Sequence, residues 1–479
     1  MVKHLKNAGL VAMVAAAALT VSSCKKDQNN DGSGNFNRSL SAGFSNPTQS
    51  IPVNTGGVIQ DNFDGNATDN IINLTSSKVW LIDGVSYVPS GKTLKIPAGT
   101  ILSSGVDKNY TGTQTNPDTG LPETVTKPIH GVLVVVKGAK IDAVGTEALP
   151  IVFTSPAAPG SRVAADFGGI ILLGNAPTNK PTSTVIEGLP TPPAGVDVSY
   201  GGSTTADNSG TLKFVRIEYP GFKLFADNEI NGLTLGGVGS GTTLDHIQVT
   251  YSADDSFEFF GGTVNATYLV AAGGDDDDFD FDFGYTGSIQ YAVGLKAINS
   301  THSTSGGSSD ANGIESDNDK TGSTLTPRTK PTLKNFTILG TNANNTALKL
   351  GNRWRRNSGL DIQNSVIAGF PAGVIYEGGA SGTYTNNILH AFAAAGGSVT
   401  PDNTGASANA YLKLGSALPT SFYAGPTAAN YTTYSYSPDV LIPQATSPVG
   451  TRGAIAAGTA VGTTWLKTWT EFNAQKKVY

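Results

Sequence analysis

The chain has one cysteine in 479 residues, Cys24, so no disulfide can form within it. Its five histidines are scattered singles (His4, His130, His246, His302, His390), and none falls in the His-x-His or His-Glu-x-x-His spacing of a zinc site. Charged residues make up only 14% of the chain and the formal charge is −6, which speaks against nucleic acid as a partner. After Cys24 no apolar run is long enough to cross a bilayer as a helix. There is no Gly-x-Ser-x-Gly nucleophile elbow. Gly91-Lys92-Thr93 resembles the end of a phosphate loop, but Ser86 stands where its first glycine should be. Glycine, by contrast, is abundant, with 59 residues. Together with many Thr, Ser and Asn and few helix formers, it suits a β-rich extracellular protein full of turns.

The first 23 residues have the form of a secretory signal. Lys3 and Lys6 form a basic start, Leu10 to Val21 is an apolar run too short to span, and Val21-Ser22-Ser23 supplies small residues before Cys24. A lone cysteine in that place looks like a bacterial lipobox. The expectation is cleavage before Cys24 and lipidation of that residue, anchoring the protein in the outer membrane. Loss of the two lysines would move the formal charge to about −8, with 29 Lys and Arg against 37 Asp and Glu. Lys25 to Asp31 (KKDQNND) resembles the short export tag of surface-displayed lipoproteins, so display on the cell surface is expected.

Residues 24–75 read as the lipidated Cys24, a polar tether and an irregular lead-in. From Val79 the chain turns into short strands broken by Gly and Pro, such as Val79 to Ile82 and Thr93 to Leu102. A repeat then surfaces. Thr211 to Ile217, Thr243 to Val249 and Thr332 to Ile338 share the template Thr-Leu-polar-x-x-polar-apolar, with weaker copies from Val264, Ile289 and Leu360. Irregular coils of 20 to 27 residues, rich in strand and punctuated by glycine, indicate a parallel β-helix. The leucine-rich consensus is missing, and propeller blades would need about 40 residues each. The chain is therefore expected to be all-β, a right-handed parallel β-helix over 76–392. Terminal coils and a short C-terminal helical cap occupy 393–479, the cap carrying Trp465, Trp469 and Phe472 at helical spacing.

Several phrases carry a resemblance. Gly168 to Gly174 (GGIILLG), Asp207 to Lys213 (DNSGTLK), Asn231 to Gly239 (NGLTLGGVG), Asp276 to Asp280 (DDDFD), Gly313 to Asp319 (GIESDND) and Trp465 to Trp469 (WLKTW) resemble a large group of Bacteroidota outer-membrane lipoproteins. Those proteins are similar to right-handed β-helices of the pectin-lyase-like kind. The resemblance covers roughly 76–479 and implies fold and location, because no activity is assigned to the group.

The stretch Tyr251 to Gly287 is the most informative. Asp254-Asp255-Ser256-Phe257-Glu258-Phe259 and Asp277-Asp278-Phe279-Asp280-Phe281-Asp282-Phe283 are acidic turns running into strands that alternate aromatic and acidic residues. Stacked one coil apart, they bring Asp254 and Asp255 to Asp275, Asp276, Asp277, Asp278 and Asp280. Carboxylates that close either raise their pKa or recruit a cation, and all-oxygen donors favour calcium. The loop lacks the EF-hand offsets and the calcium β-roll nonapeptide, so a solvated acidic turn and a catalytic carboxylate set stay open beside calcium.

Between inward neighbours, Glu258, Asp282 and Glu315 are expected to form an outward acidic ladder interrupted by Lys349, with Glu377 beyond it. Asn352-Arg353-Trp354-Arg355-Arg356-Asn357 is the only dense basic cluster. Trp354, like Tyr285, Tyr376 and Tyr384, is a candidate for stacking on a sugar ring. The leading reading is a cell-surface lipoprotein that binds an extracellular polysaccharide or protein partner, stabilised by calcium. Arginine beside acids in a β-helix groove resembles polysaccharide lyases, which makes the alternative a calcium-dependent lyase or hydrolase using Asp277, Asp278 or Asp280 with Arg355 or Arg356. Pairing of those arginines with the acidic ladder is the simpler explanation, and the general pectate-lyase motifs are not present. A third reading is an accessory subunit of a TonB-dependent outer-membrane transporter.

Overall fold

The computed structural model describes residues 43–479 apart from 62, 67–68, 116–120, 226–227, 298–301, 306–307, 342, 395–409 and 412–437. The expected signal segment, Cys24 and the expected tether up to residue 42 lie outside the described residues.

Among the described residues the main sheet has 25 strands, all paired in parallel, and it winds into the three faces of a right-handed parallel β-helix. Each turn of the chain lays its strand on the matching strand of the previous coil. Successive coils of the first face put Ile96, Ala143, Leu212, Leu244, Ala266, Ile289, Leu333 and Ile362 in one inward column, all buried. The register corrects the repeat by two residues. Ala266, not Val264, lies under Leu244, and Ile362, not Leu360, lies under Leu333. A slip of two keeps the same side chains facing inward, so the pattern conveyed the face but not the alignment.

From Phe214 onward the bend between the first and second faces is made without glycine. Phe214, His246, Tyr268, Tyr291, Asn335, Asn364 and Asn386 occupy it in turn, each with φ between 50° and 61°. In the left-handed region one residue turns the chain sharply, and stacking of like neighbours offsets the strain. Phe214, His246, Tyr268 and Tyr291 form a column with centroid spacings of 4.4, 4.4 and 5.2 Å. His246 is thus a corner residue, not an outward residue in mid-strand.

The two acidic–aromatic phrases stack as the alternation requires. Phe257 lies over Phe279 at 5.3 Å with rings 6° from parallel, and Phe259 over Phe281 at 5.2 Å. These rings fill the interior behind the third face, which runs through Val85–Val88, Val132–Val135, Gly169–Leu173, Leu233–Gly236, Phe257–Phe260, Phe279–Asp282, Ile314–Ser316 and Leu350–Trp354. Small antiparallel hairpins project from the coils, among them Phe222–Phe225 with Asn228–Ile230 and Thr304–Ser305 with Ser308–Ser309.

The C-terminal segment runs along the side of the solenoid. Residues 438–479 are turns with two 3-10 helices, Pro438–Leu441 and Ala474–Lys476, and no α-helix forms. Thr468 takes φ 74°, which breaks the helical spacing of the aromatic residues. Leu441, Ile442, Leu466, Trp469 and Phe472 nevertheless pack on Val270, Val293, Leu295, Leu339 and Val366 of the second face. The segment ends at Tyr479, whose hydroxyl bonds Glu218 and whose backbone oxygen accepts from Ser45 N. The expected cap is therefore a lateral strap.

Candidate metal centre

One outward column of the third face changes chemistry along its length. In register it reads Tyr87, Val134, Ile171, Thr234, Glu258, Asp280, Glu315 and Arg353. The apolar half gives way to three carboxylates on adjacent coils and then to an arginine. Asp282 also faces outward but two residues further along, in register with Phe260, so the ladder partner of Glu258 and Glu315 is Asp280.

The turns leading into these strands add more acid. Asp277 N donates to Asp255 Oδ1 at 2.7 Å, which locks one acidic turn on the next. Three overlapping triads result, Asp255/Asp276/Asp277, Asp255/Glu258/Asp280 and Asp277/Asp280/Glu315, with the donor oxygens of each within 4.8 Å of one another. Six carboxylates thus share one cleft. Asp255 is 8% exposed, Glu258 and Glu315 6% and Asp277 4%.

Burial dominates the ionisation of the whole group. Asp255, Glu258, Asp277 and Glu315 are pushed well above the usual carboxylate range, first by desolvation and then by one another. Asp276 and Asp282 are raised for the same leading reason, and Asp280 is pushed up to about 7. Cations reach only the margins. Lys223, on the Phe222–Phe225 hairpin, stands 3.5 Å from Asp254. At the far end Arg353 bonds Glu315 at 3.0 Å and Asp310 at 2.7 Å, while Arg355 bonds Glu315 and grips Asp317 at 2.9 and 3.0 Å. Arg356 bonds Asp317 at 2.6 Å.

The expected ligand set is therefore partly regrouped. Asp255, Asp276, Asp277 and Asp280 come together as foreseen. Asp254 is paired with Lys223 beside the cleft, and Asp275 Oδ1 accepts from His302 N at 3.0 Å. Asp278 points away from the cleft into a fully buried pair with Lys296, 3.3 Å apart, and is pushed up to about 6 by that burial. Trp354 and Tyr285 are completely buried and present no ring to a ligand. Arg353, Arg355 and Arg356 are engaged with acids, as the simpler reading had it.

Sequence reasoning missed the neutral oxygens around the cleft. Asn231 donates through Nδ2 to Glu258 Oε2, Asn312 through Nδ2 to Glu315 Oε2 at 3.1 Å, and Thr234 adjoins Glu258 in the column. All three are at most 2% exposed, and Asn231 Oδ1, Thr234 Oγ1 and Asn312 Oδ1 have no hydrogen-bond partner among the described residues. Asn231 stood inside a quoted motif, yet only the coil register shows what it faces. A buried oxygen without a donor is destabilising by roughly 1–3 kcal/mol, so three at one acidic cleft point to a missing positive partner. Carboxylate, carboxamide and hydroxyl oxygens are the donor chemistry of a hard divalent cation, and calcium needs 6–8 of them.

No curated protein and no solved structure is similar enough to the chain to match it. A family model does match, that of the pectate-lyase-like β-helix domain, over residues 65–434, in agreement with the coil structure. The chain belongs to this family of pectate-lyase-like β-helix domains.

Proposed function

We propose that this β-helix is a glycan-binding protein of the cell surface, anchored through Cys24, whose acidic cleft holds calcium as a structural ion. The family supports the carbohydrate side of this reading. One observation carries the ionic side: a cleft of six carboxylates, four of them buried, beside which the neutral oxygens of Asn231, Thr234 and Asn312 have no donor among the described residues. Asp255, Glu258, Asp277, Asp280 and Glu315 would hold the ion, with Asn231 and Asn312 contributing carbonyl oxygens. Calcium there supplies positive charge to the centre of a carboxylate group that otherwise must stay partly protonated. It ties together the coils that carry Glu258, Asp280 and Glu315 and fixes the turn at Asn312.

The lyase reading draws less support. Arg355 lies between Glu315 and Asp317; burial alone would lower its pKa, but these carboxylates outweigh it and raise the value, the opposite of what proton abstraction requires. The cleft's principal carboxylates are also nearly covered, which suits an ion better than a polymer. The transporter-subunit reading rests on location alone.

The test is calcium calorimetry on the full chain in mild detergent after chelation, with thermal melting in parallel. Saturable binding that raises the melting temperature, and is lost in Asp255→Asn/Asp280→Asn, supports the ion site. No heat and no thermal shift would overturn it. Retention on immobilised neutral or acidic polysaccharides, with no unsaturated uronate appearing, supports binding without cleavage.

A further inference from the structure

The acidic cleft is built on a spacing that repeats from coil to coil. Leu233, Phe257, Phe279 and Ile314 lie in register. Two residues before them stand Asn231, Asp255, Asp277 and Asn312, and one residue after them Thr234, Glu258, Asp280 and Glu315. Acid therefore fills both positions on the two middle coils, one position on the last coil and neither on the first. Beyond Glu315 the column ends in Arg353. The coils are tied alike, since Asp277 N donates to Asp255 Oδ1 and Asn312 N donates to Asp277 Oδ1.

The donor oxygens fall into two sets along this row. Asp255, Glu258 and Asp280 form one triad and Asp277, Asp280 and Glu315 another, each with its oxygens within 4.8 Å of one another and with only Asp280 in common. Each set has its own asparagine. Asn231 Nδ2 donates to Glu258 and Asn312 Nδ2 to Glu315, which holds both carboxamides against the cleft. Their Oδ1 atoms are buried and have no hydrogen-bond partner among the described residues. The two asparagines are three coil steps apart, about 14 Å along the axis at the usual strand spacing. The ligands of one calcium lie within about 5 Å of one another, because each bond is only about 2.5 Å long. One ion therefore cannot serve both ends of the row.

We infer that the cleft binds two calcium ions, one held by Asp255, Glu258 and Asn231 and the other by Asp277, Glu315 and Asn312, with Asp280 bridging them. The inference rests on the reading of the cleft as a calcium site and divides its ligands between two ions. Charge favours the pair. A single dication among six carboxylates, with Arg353 and Arg355 on Glu315, leaves much of the negative charge uncompensated, and a second ion offsets it. Second carboxylate oxygens and water complete each shell. Two dications about one strand spacing apart repel, so the second should bind on the order of a hundredfold more weakly than the first.

Equilibrium dialysis of the chelated full chain in mild detergent, against calcium up to millimolar free concentration, counts the ions. Two per chain are expected in the wild type and one in either Glu258→Gln or Glu315→Gln, while Asp280→Asn should weaken both at least tenfold. In chelator each variant should melt no lower than the wild type, because it removes a charge from a crowded cleft; that result shows that the fold survives. A wild type that saturates at one ion overturns the pairing and leaves the calcium reading standing. Loss of both ions in either glutamine variant does the same, since the ligands would then form one site. Two ions retained in both variants would lie outside the cleft and, like no bound calcium in the wild type, would sink the pairing and the calcium reading together.

Discussion

The outer surfaces of the second and third faces are made from the same coils and have opposite fates. On the second face, Val270, Val293, Leu295, Leu339 and Val366 point outward and would be an exposed apolar stripe, but the chain's own C-terminal strap covers them. Some polar residues at its N-terminal end are also satisfied from within, although Thr250 Oγ1 keeps no hydrogen-bond partner among the described residues. Gln248 exchanges hydrogen bonds with the backbone of Glu471, and Glu218 accepts from Tyr479. On the third face the acids gather in one cleft, and their neutral neighbours keep oxygens without donors among the described residues. A solenoid stacks its interior by repetition, so individuality moves to the outward residues. A face completed by its own chain is structural; a face left incomplete is where something from outside belongs.

The comparison predicts different responses to damage. Removing Trp469, completely buried in the strap, leaves a cavity under the second face. Trp469→Ala should destabilise by about 3–5 kcal/mol in chemical denaturation, calcium present or absent. A loss that vanished on adding calcium would contradict the separation of the two faces. Saturating calcium, at a hundredfold over its dissociation constant, should stabilise wild type by about 2.7 kcal/mol and Asp255→Asn/Asp280→Asn hardly at all.

Acidity sharpens the contrast. Burial raises the folded-state pKa of Asp255, Glu258, Asp277 and Glu315, and of Asp280 to about 7, above the unfolded value. The folded chain then holds more protons than the unfolded chain between about pH 4 and 7, so metal-free stability falls as pH rises through that interval. Melting in chelator should therefore rise as pH is lowered from 8 to 5.5, and the stabilisation due to calcium should grow with pH. A chelated protein that melts higher at pH 8 than at pH 5.5 would show that burial does not govern this cleft. The smallest effect belongs to the rim. The Arg356 side chain is 39% exposed and pairs with Asp317 at the rim, so Arg356→Ala should change stability by roughly 1 kcal/mol or less, as exposed ion pairs do.

Much of this was legible in the chain, for identifiable reasons. Period-two alternation from Phe257 to Phe283 set inward phenylalanines against outward carboxylates, because neighbouring strand residues must point to opposite faces. The steps from the Thr243 phrase to the weaker copies at Val264 and Ile289, and from the Thr332 phrase to Leu360, gave coils of solenoid length. What sequence could not give was register. The insertions between coils are irregular, so nothing local says that Glu258 meets Asp280 and not Asp282, or that Ala266 lies under Leu244. Asp277 and Asp278 are neighbours in one turn, yet one faces the cleft and the other Lys296. The strap was missed in kind, because Trp465, Trp469 and Phe472 have helical spacing while their packing on the second face takes an irregular path.

The sequence by itself determined the strand pattern, the stacking of like residues and the concentration of acid between Asp254 and Asp282, all of which follow from neighbours along the chain. Only the tertiary structure decided which carboxylates share a cleft, which are neutralised by lysine or arginine, and which of the faces is closed by the C-terminal segment. Those outcomes depend on contacts between residues tens to hundreds of positions apart, such as Arg216 with Tyr479 and Glu315 with Arg353. Coil register and chain path set such contacts, and local propensity carries no information about either.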